Sequence, residues 1–176
     1  MGKLPKIGLI AFAAFFALDQ LVKWIVSGPL GMTEYSGYKD LLPIFRLNVV
    51  YNPGVSLGFL RVSPDKAWML VVLTGVIAAA VLVWMWRENN RQDQFALGMI
   101  AGGALGNILD RVRLGYVLDY ANLHFGAWSP FLNFNLADAA ITVGVLILLV
   151  RALLVRDKPK QAGPRVERTD VENSNA

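Results

Sequence analysis

The chain has 176 residues, 55% hydrophobic and 17% charged, with a mean hydropathy of +0.46. A soluble domain carries about 25% charged residues, so this composition excludes a soluble globular protein and points to an integral membrane protein of one domain. Without cysteine there is neither a disulfide nor a thiolate metal site, the lone His124 makes no histidine-based metal site, and the net charge of +4 sits on Lys and Arg flanking apolar segments, a membrane address rather than a nucleic-acid footprint.

A spanning helix needs about 20 mostly apolar residues, and four segments qualify. The first, at about 7–26, carries Asp19, Gln20 and Lys23. Lys3 and Lys6 ahead of it resemble the start of a signal peptide. The apolar pattern is too long for a typical h-region and three more spans follow, so an uncleaved span is expected. A long loop, 27–66, comes next. Within it "PIFRLNVVYNPG" has partial period-two character, with Phe45, Leu47 and Val49 on one strand face. This predicts a small β element at about 40–63, lying on the outer membrane surface. Asn52-Pro53-Gly54-Val55 reads as a turn.

The second span, about 68–86, has no charge. The third, about 92–109, is short and rich in small residues. Gly98, Gly102 and Gly106 repeat every four residues, which lets helices approach closely. Asn107, Asp110 and Arg111 follow at i, i+3 and i+4 and so share one face. A second outer loop, about 110–133, contains Asp119 in the apolar stretch "GYVLDYANL". The fourth span, about 136–155, opens at Asn135 with Asp138 three residues on, the pattern of a capping box. The helical part thus forms a membrane domain over 1–156. Residues 157–176 are polar, with few large apolar groups, and are expected to be a disordered tail. No internal repeat is present.

With the N-terminus inside, the inner segments hold ten Lys and Arg and the outer loops six. The positive-inside rule then puts both termini in the cytoplasm. Trp24 and Trp68 fall at the outer level, and Trp84 and Trp86 at the inner, as an aromatic belt requires.

The polar residues gather on one side. Asp19 lies roughly 18 Å into the first span by helix rise, with Lys23 four residues later in the favourable acid-then-base order. Asp19, the Asn52 turn, Asn107, Asp110, Arg111, Asp119 and Asp138 all fall at the outer level. None lies near the cytoplasmic face of a span. Each has an ordinary structural explanation alone, but independent accidents would scatter between both faces. The convergence argues for one polar site just inside the outer leaflet. Two carboxyls in such a site cannot both ionise cheaply, so they share a proton and can activate water without a cofactor.

These residues resemble the lipoprotein signal peptidase family, the bacterial type II signal peptidases. The resemblance rests on "DQLVK" (19–23), "YNPGVSLG" (51–58), "GGALGNILDR" (102–111), "YVLDY" (116–120) and "FNLADAAITVG" (134–144), five motifs in order among four spans. It implies that Asp119 and Asp138 are the catalytic dyad. Asn52 and Gly54, Asn107, Asp110 and Arg111, Asn135, and Asp19 with Lys23 are implied as substrate-binding or supporting residues. It further implies cleavage of prolipoproteins before a diacylglyceryl-modified cysteine at the outer face of the inner membrane, with sensitivity to globomycin. Val55, Ser56 and Leu57 depart from the two small residues and Phe that usually follow Gly54, and Tyr120 stands where Phe is usual. The expected fold is membrane all-α: four transmembrane helices with a small extracytoplasmic β-sheet and a short helical loop on the outer face. The expected enzyme is a monomer that needs no metal or cofactor. Its partners are lipidated prolipoproteins and membrane lipids, and the long first loop covers the substrate.

Two rival readings remain at this level. A small proton-coupled transporter would use buried acids and a lysine, but the inner halves of the spans are apolar. A non-catalytic assembly factor would tolerate asparagine at 119 and 138.

Overall fold

The computed structural model describes residues 4–54, 67–126, 128–130 and 132–154. The elements in order are α1 (Lys6–Ser27), β1 (Tyr38–Leu42), β2 (Phe45–Asn52), α2 (Ala67–Arg87), α3 (Arg91–Leu114), β3 (Val117–Leu123) and α4 (Leu136–Leu154). All four helices are long and apolar enough to cross a membrane.

Helix α3 is the axis of the bundle, and α1, α2 and α4 each pack on it. Its apolar window is 67% buried in protein, against 17–22% for the other three, which turn their apolar side chains outward. Glycines make the close approach. A side chain at Gly98 would run into the carbonyl of Gly8, one at Gly102 into the carbonyl of Phe12, and one at Gly106 into the Asp19 carboxylate. On the opposite flank Gly103 faces the carbonyl of Ala137. Small residues at an interface let helix backbones meet at van der Waals distance where lipid supplies no hydrophobic drive. Gly102→Ala places a methyl group 2.5 Å from a backbone oxygen that can retreat only if α1 moves. We expect it to cost about 1–3 kcal/mol, the usual scale of overpacking, read as a lower unfolding midpoint in detergent.

Both ends of α3 are closed by local chemistry. The Asn90 side chain accepts the N–H groups of Gln92 (2.8 Å) and Asp93 (3.4 Å). At the other end Gly115, with φ of 83°, adopts the left-handed conformation and returns its N–H to the Arg111 carbonyl. The helix therefore runs past the expected boundary near Leu109, and Asp110 and Arg111 belong to the helix rather than to a loop.

The three strands form an antiparallel sheet in the order β1-β2-β3. Leu47 and Val49 of β2 turn inward as the alternation predicts, and join Val26, Met32, Leu118, Tyr120 and Ala121 in a small core under the sheet. The stretch around Asp119, expected as loop, is strand β3. It pairs with β2 through Val50↔Asp119 and Tyr51↔Leu118. A bridge between Ala121 and Phe134 then ties β3 to the lead-in of α4. No short helical loop on the sheet side occurs among the described residues. Residues 55–66, the last part of the long first loop with Val55, Ser56 and Leu57, lie outside them, as do 157–176. The sheet sits at the bundle end where α1 and α3 finish and α4 begins, and so do the polar residues.

Candidate active site

The first turn of α4 fixes Asp138. The Asn135 side chain accepts the Asp138 N–H at 2.9 Å, and the Asp138 carboxylate accepts the Asn135 N–H at 3.3 Å. This reciprocal pair is the capping box read from the sequence. The same carboxylate also accepts from the Asn107 amide on α3 at 2.8 Å. Asp138 is thus both a helix cap and a member of a polar cluster.

Asp119 sits in the middle of β3 with 1% of its surface exposed. One carboxylate oxygen accepts from Asn52 of β2 at 2.9 Å, and the other from Asn135 at 2.7 Å. Asn135 also donates to the Asn107 side-chain oxygen at 3.2 Å. The two acids are therefore joined through Asn135 and Asn107. Burial, and then the negative charge of Asp138, push the Asp119 carboxyl up to about 7, against the amides of Asn52 and Asn135 that favour its anion.

The turn after β2 is locked from both sides. Asn52 Oδ1 accepts the Gly54 N–H at 3.0 Å, an Asx turn. Arg111 donates to the Gly54 carbonyl at 2.7 Å and to the Asn107 carbonyl at 3.4 Å. Arg111 Nε is buried and has no hydrogen-bond partner among the described residues.

Behind the acids lies a buried ion triad. Lys23 Nζ stands 2.8 Å from Asp19 and 2.8 Å from Asp110, and donates to Asn107 Oδ1 at 3.1 Å. Asp19 reaches across to accept the Ala137 N–H at 3.0 Å. Asp110 accepts the Leu118 N–H at 3.3 Å, at the start of β3. The triad thus holds both elements that carry Asp119 and Asp138. All ten site residues expected from the sequence come together here.

Two residues were missed. Gln20 bridges Asp19, Asp110 and the Gly106 carbonyl; its place beside Asp19 within an apolar span was the available signal. The Tyr120 hydroxyl accepts the Leu136 N–H at 3.1 Å; nothing in the sequence marked that contact.

A cavity of about 570 Å³ opens beside the site, between α2, α3 and α4. Its walls are largely apolar, with Ile77, Ile100 and Ile141 among them, and Asn107, Arg111 and Asp138 line it as well. A groove of about 610 Å³ at the other end of the bundle, along Phe95, Val150 and Arg151, is lined by no carboxylate among the described residues. Among the described residues no three His, Cys, Asp or Glu side chains converge as metal ligands.

The family model for signal peptidase II matches residues 11–154, nearly all of the described chain. The chain belongs to the signal peptidase II family. The lipoprotein signal peptidase of Rhizorhabdus wittichii is 49% identical over 92% of this chain and 93% of that protein. That of Sphingopyxis alaskensis is 51% identical over 89% of this chain and 91% of that protein. Among solved structures, one bacterial membrane enzyme superposes with a TM-score of 0.71 at 24% identity, covering 83% of this chain and 87% of that one. A second gives 0.68 at 25% identity, covering 84% and 92%. This family member is a bacterial membrane protein and a peptidase.

Proposed function

We propose that this signal peptidase II family member removes signal peptides from diacylglyceryl-modified prolipoproteins, cutting before the lipidated cysteine with Asp119 and Asp138 as an aspartic dyad. One observation carries the reading: two acids are linked through Asn135 and Asn107, Asp119 raised by burial and by Asp138, and Asp138 lines an apolar cavity between spanning helices. A lipidated substrate keeps its acyl chains in the leaflet and brings its peptide bond to that level. The sheet end of the bundle then faces away from the cytoplasm, with both termini inside. All ten site residues come from one chain, which supports a monomeric enzyme.

In the mechanism we propose, Asp119 is the protonated partner and Asp138 the ionised one. A water between them loses a proton to Asp138 as its oxygen attacks the scissile carbonyl carbon. Asp119 gives its proton to the carbonyl oxygen, and a tetrahedral diol forms. Asp138 returns its proton to the nitrogen of the lipidated cysteine, the C–N bond breaks, and Asp119 recovers a proton as the new carboxyl forms. The Arg111 Nε–H, buried at the cavity wall and without a partner among the described residues, is a donor for a substrate carbonyl.

The test is incubation of the purified protein with a diacylglyceryl-modified prolipoprotein. The expected product is a shorter chain beginning at the modified cysteine, and globomycin should block its formation. Equal cleavage of an unmodified substrate, or none of the modified one, contradicts the reading. The pH dependence follows from the sign of the Asp119 shift. The productive form needs Asp119 protonated, so turnover should fall as pH rises through about 7.

A further inference from the structure

The first N–H groups of a helix have no partner within it. In α4 each of the first three is met by a different residue: Leu136 by the Tyr120 hydroxyl, Ala137 by Asp19, and Asp138 by Asn135. Tyr120 is the member that belongs to the strand carrying the other acid. It follows Asp119 directly in β3, and its partner Leu136 lies two residues before Asp138.

The contact is built to be rigid. The Tyr120 ring is 6% exposed and packs in the core formed by Val26, Met32, Leu47, Val49 and Leu118. The backbone around it is pinned to the same segment. The N–H groups of Tyr120 and Ala121 both donate to the Phe134 carbonyl, at 3.1 and 2.8 Å, and the Phe134 N–H returns to Ala121 at 2.9 Å. Burial pushes the phenol well above its ordinary range, so it stays neutral and keeps a lone pair for Leu136. The Tyr120 hydroxyl is turned to the Leu136 N–H, and Tyr120 is not among the residues that line the cavity.

We infer that Tyr120 is a positioning residue for the proposed dyad, its hydroxyl locking the strand that carries Asp119 to the helix turn that carries Asp138. The inference rests on the aspartic reading above. Proton sharing and water activation depend on the distance between the two carboxyls, and misplacement on the scale of 1 Å can cost a large factor in rate. Asp19 and Asn135 hold α4 as well, but neither is on β3.

Tyr120→Phe removes the oxygen and leaves the ring in its packing. The probe substrate is a diacylglyceryl-modified prolipoprotein peptide. We expect kcat to fall about tenfold, with KM within about twofold. We also expect the alkaline limb of the pH–rate profile to move to lower pH, because a looser Asp138 raises Asp119 less. The other charges acting on this pair, Lys23 from α1 and Arg111 from α3, are untouched by the substitution. In a readout independent of turnover, the Leu136 amide should exchange faster with solvent hydrogen. A variant with wild-type kcat and pH profile overturns the inference, even if its unfolding midpoint drops; so does unchanged protection of the Leu136 amide. The aspartic reading fails separately, if Asp119→Asn still processes the substrate.

Discussion

Asp119→Asn and Asp138→Asn are each expected to lower turnover by about 10³-fold or more, the scale set by losing a positioned acid or base. Asparagine keeps the shape of the side chain but can neither take a proton from water nor give one to a carbonyl. The local cost to the fold is small. Asp119 accepts from Asn52 and Asn135, and Asp138 from Asn107 and the Asn135 N–H, so an amide in either place loses one of two acceptors. That is worth about 1 kcal/mol, offset where the mutual repulsion of the acids is removed. Because the two act as one unit, the double variant should be no worse than either single one. Measured single-turnover rates with a lipidated substrate decide this. Losses that multiply in the double variant would mean that the acids work separately.

Lys23→Met is expected to give the largest loss of stability, about 3–5 kcal/mol, the range for removing one partner of a buried ion pair. The ammonium is the common partner of Asp19 and Asp110, all three being at most 5% exposed. Without it two carboxylates face each other inside the bundle. The damage reaches the site, because Asp19 holds the Ala137 N–H beside Asp138 and Asp110 holds the start of β3. Adding Asp19→Asn to Lys23→Met should recover part of the loss by removing one of the stranded charges. Unfolding midpoints in detergent check both statements. A Lys23→Met protein as stable as wild type would show that the triad carries no such energy.

The spans were legible because lipid-facing helices must be predominantly apolar, and Trp68–Trp86 carries no charge. The site was legible as a gathering of Asp19, Asn107, Asp110, Arg111 and Asp138 at one level, since helix rise alone fixes depth. Strand β3 was not legible. Six of its seven residues are buried, so "VLDYANL" has no period-two alternation to read. The true end of α3 was hidden for a related reason. This helix is buried in protein rather than lipid, so polar residues are tolerated in it, and mean hydropathy falls before the helix stops. The crossings that turn the residues into a site, Asn135 to Asp119, Asp19 to Ala137 and Tyr120 to Leu136, join residues 16, 118 and 16 positions apart. Side-chain partners at such separations are set by packing and have no local signature.

The most direct measurement is the protonation of the two carboxyls, followed by infrared or carbon NMR spectroscopy of aspartate-labelled protein across pH. The account predicts one signal from a protonated carboxyl that ionises near 7, is missing in Asp119→Asn, and titrates lower in Asp138→Asn. An Asp119 already ionised at pH 5 in the folded protein, with a titration indifferent to Asp138→Asn, would contradict it.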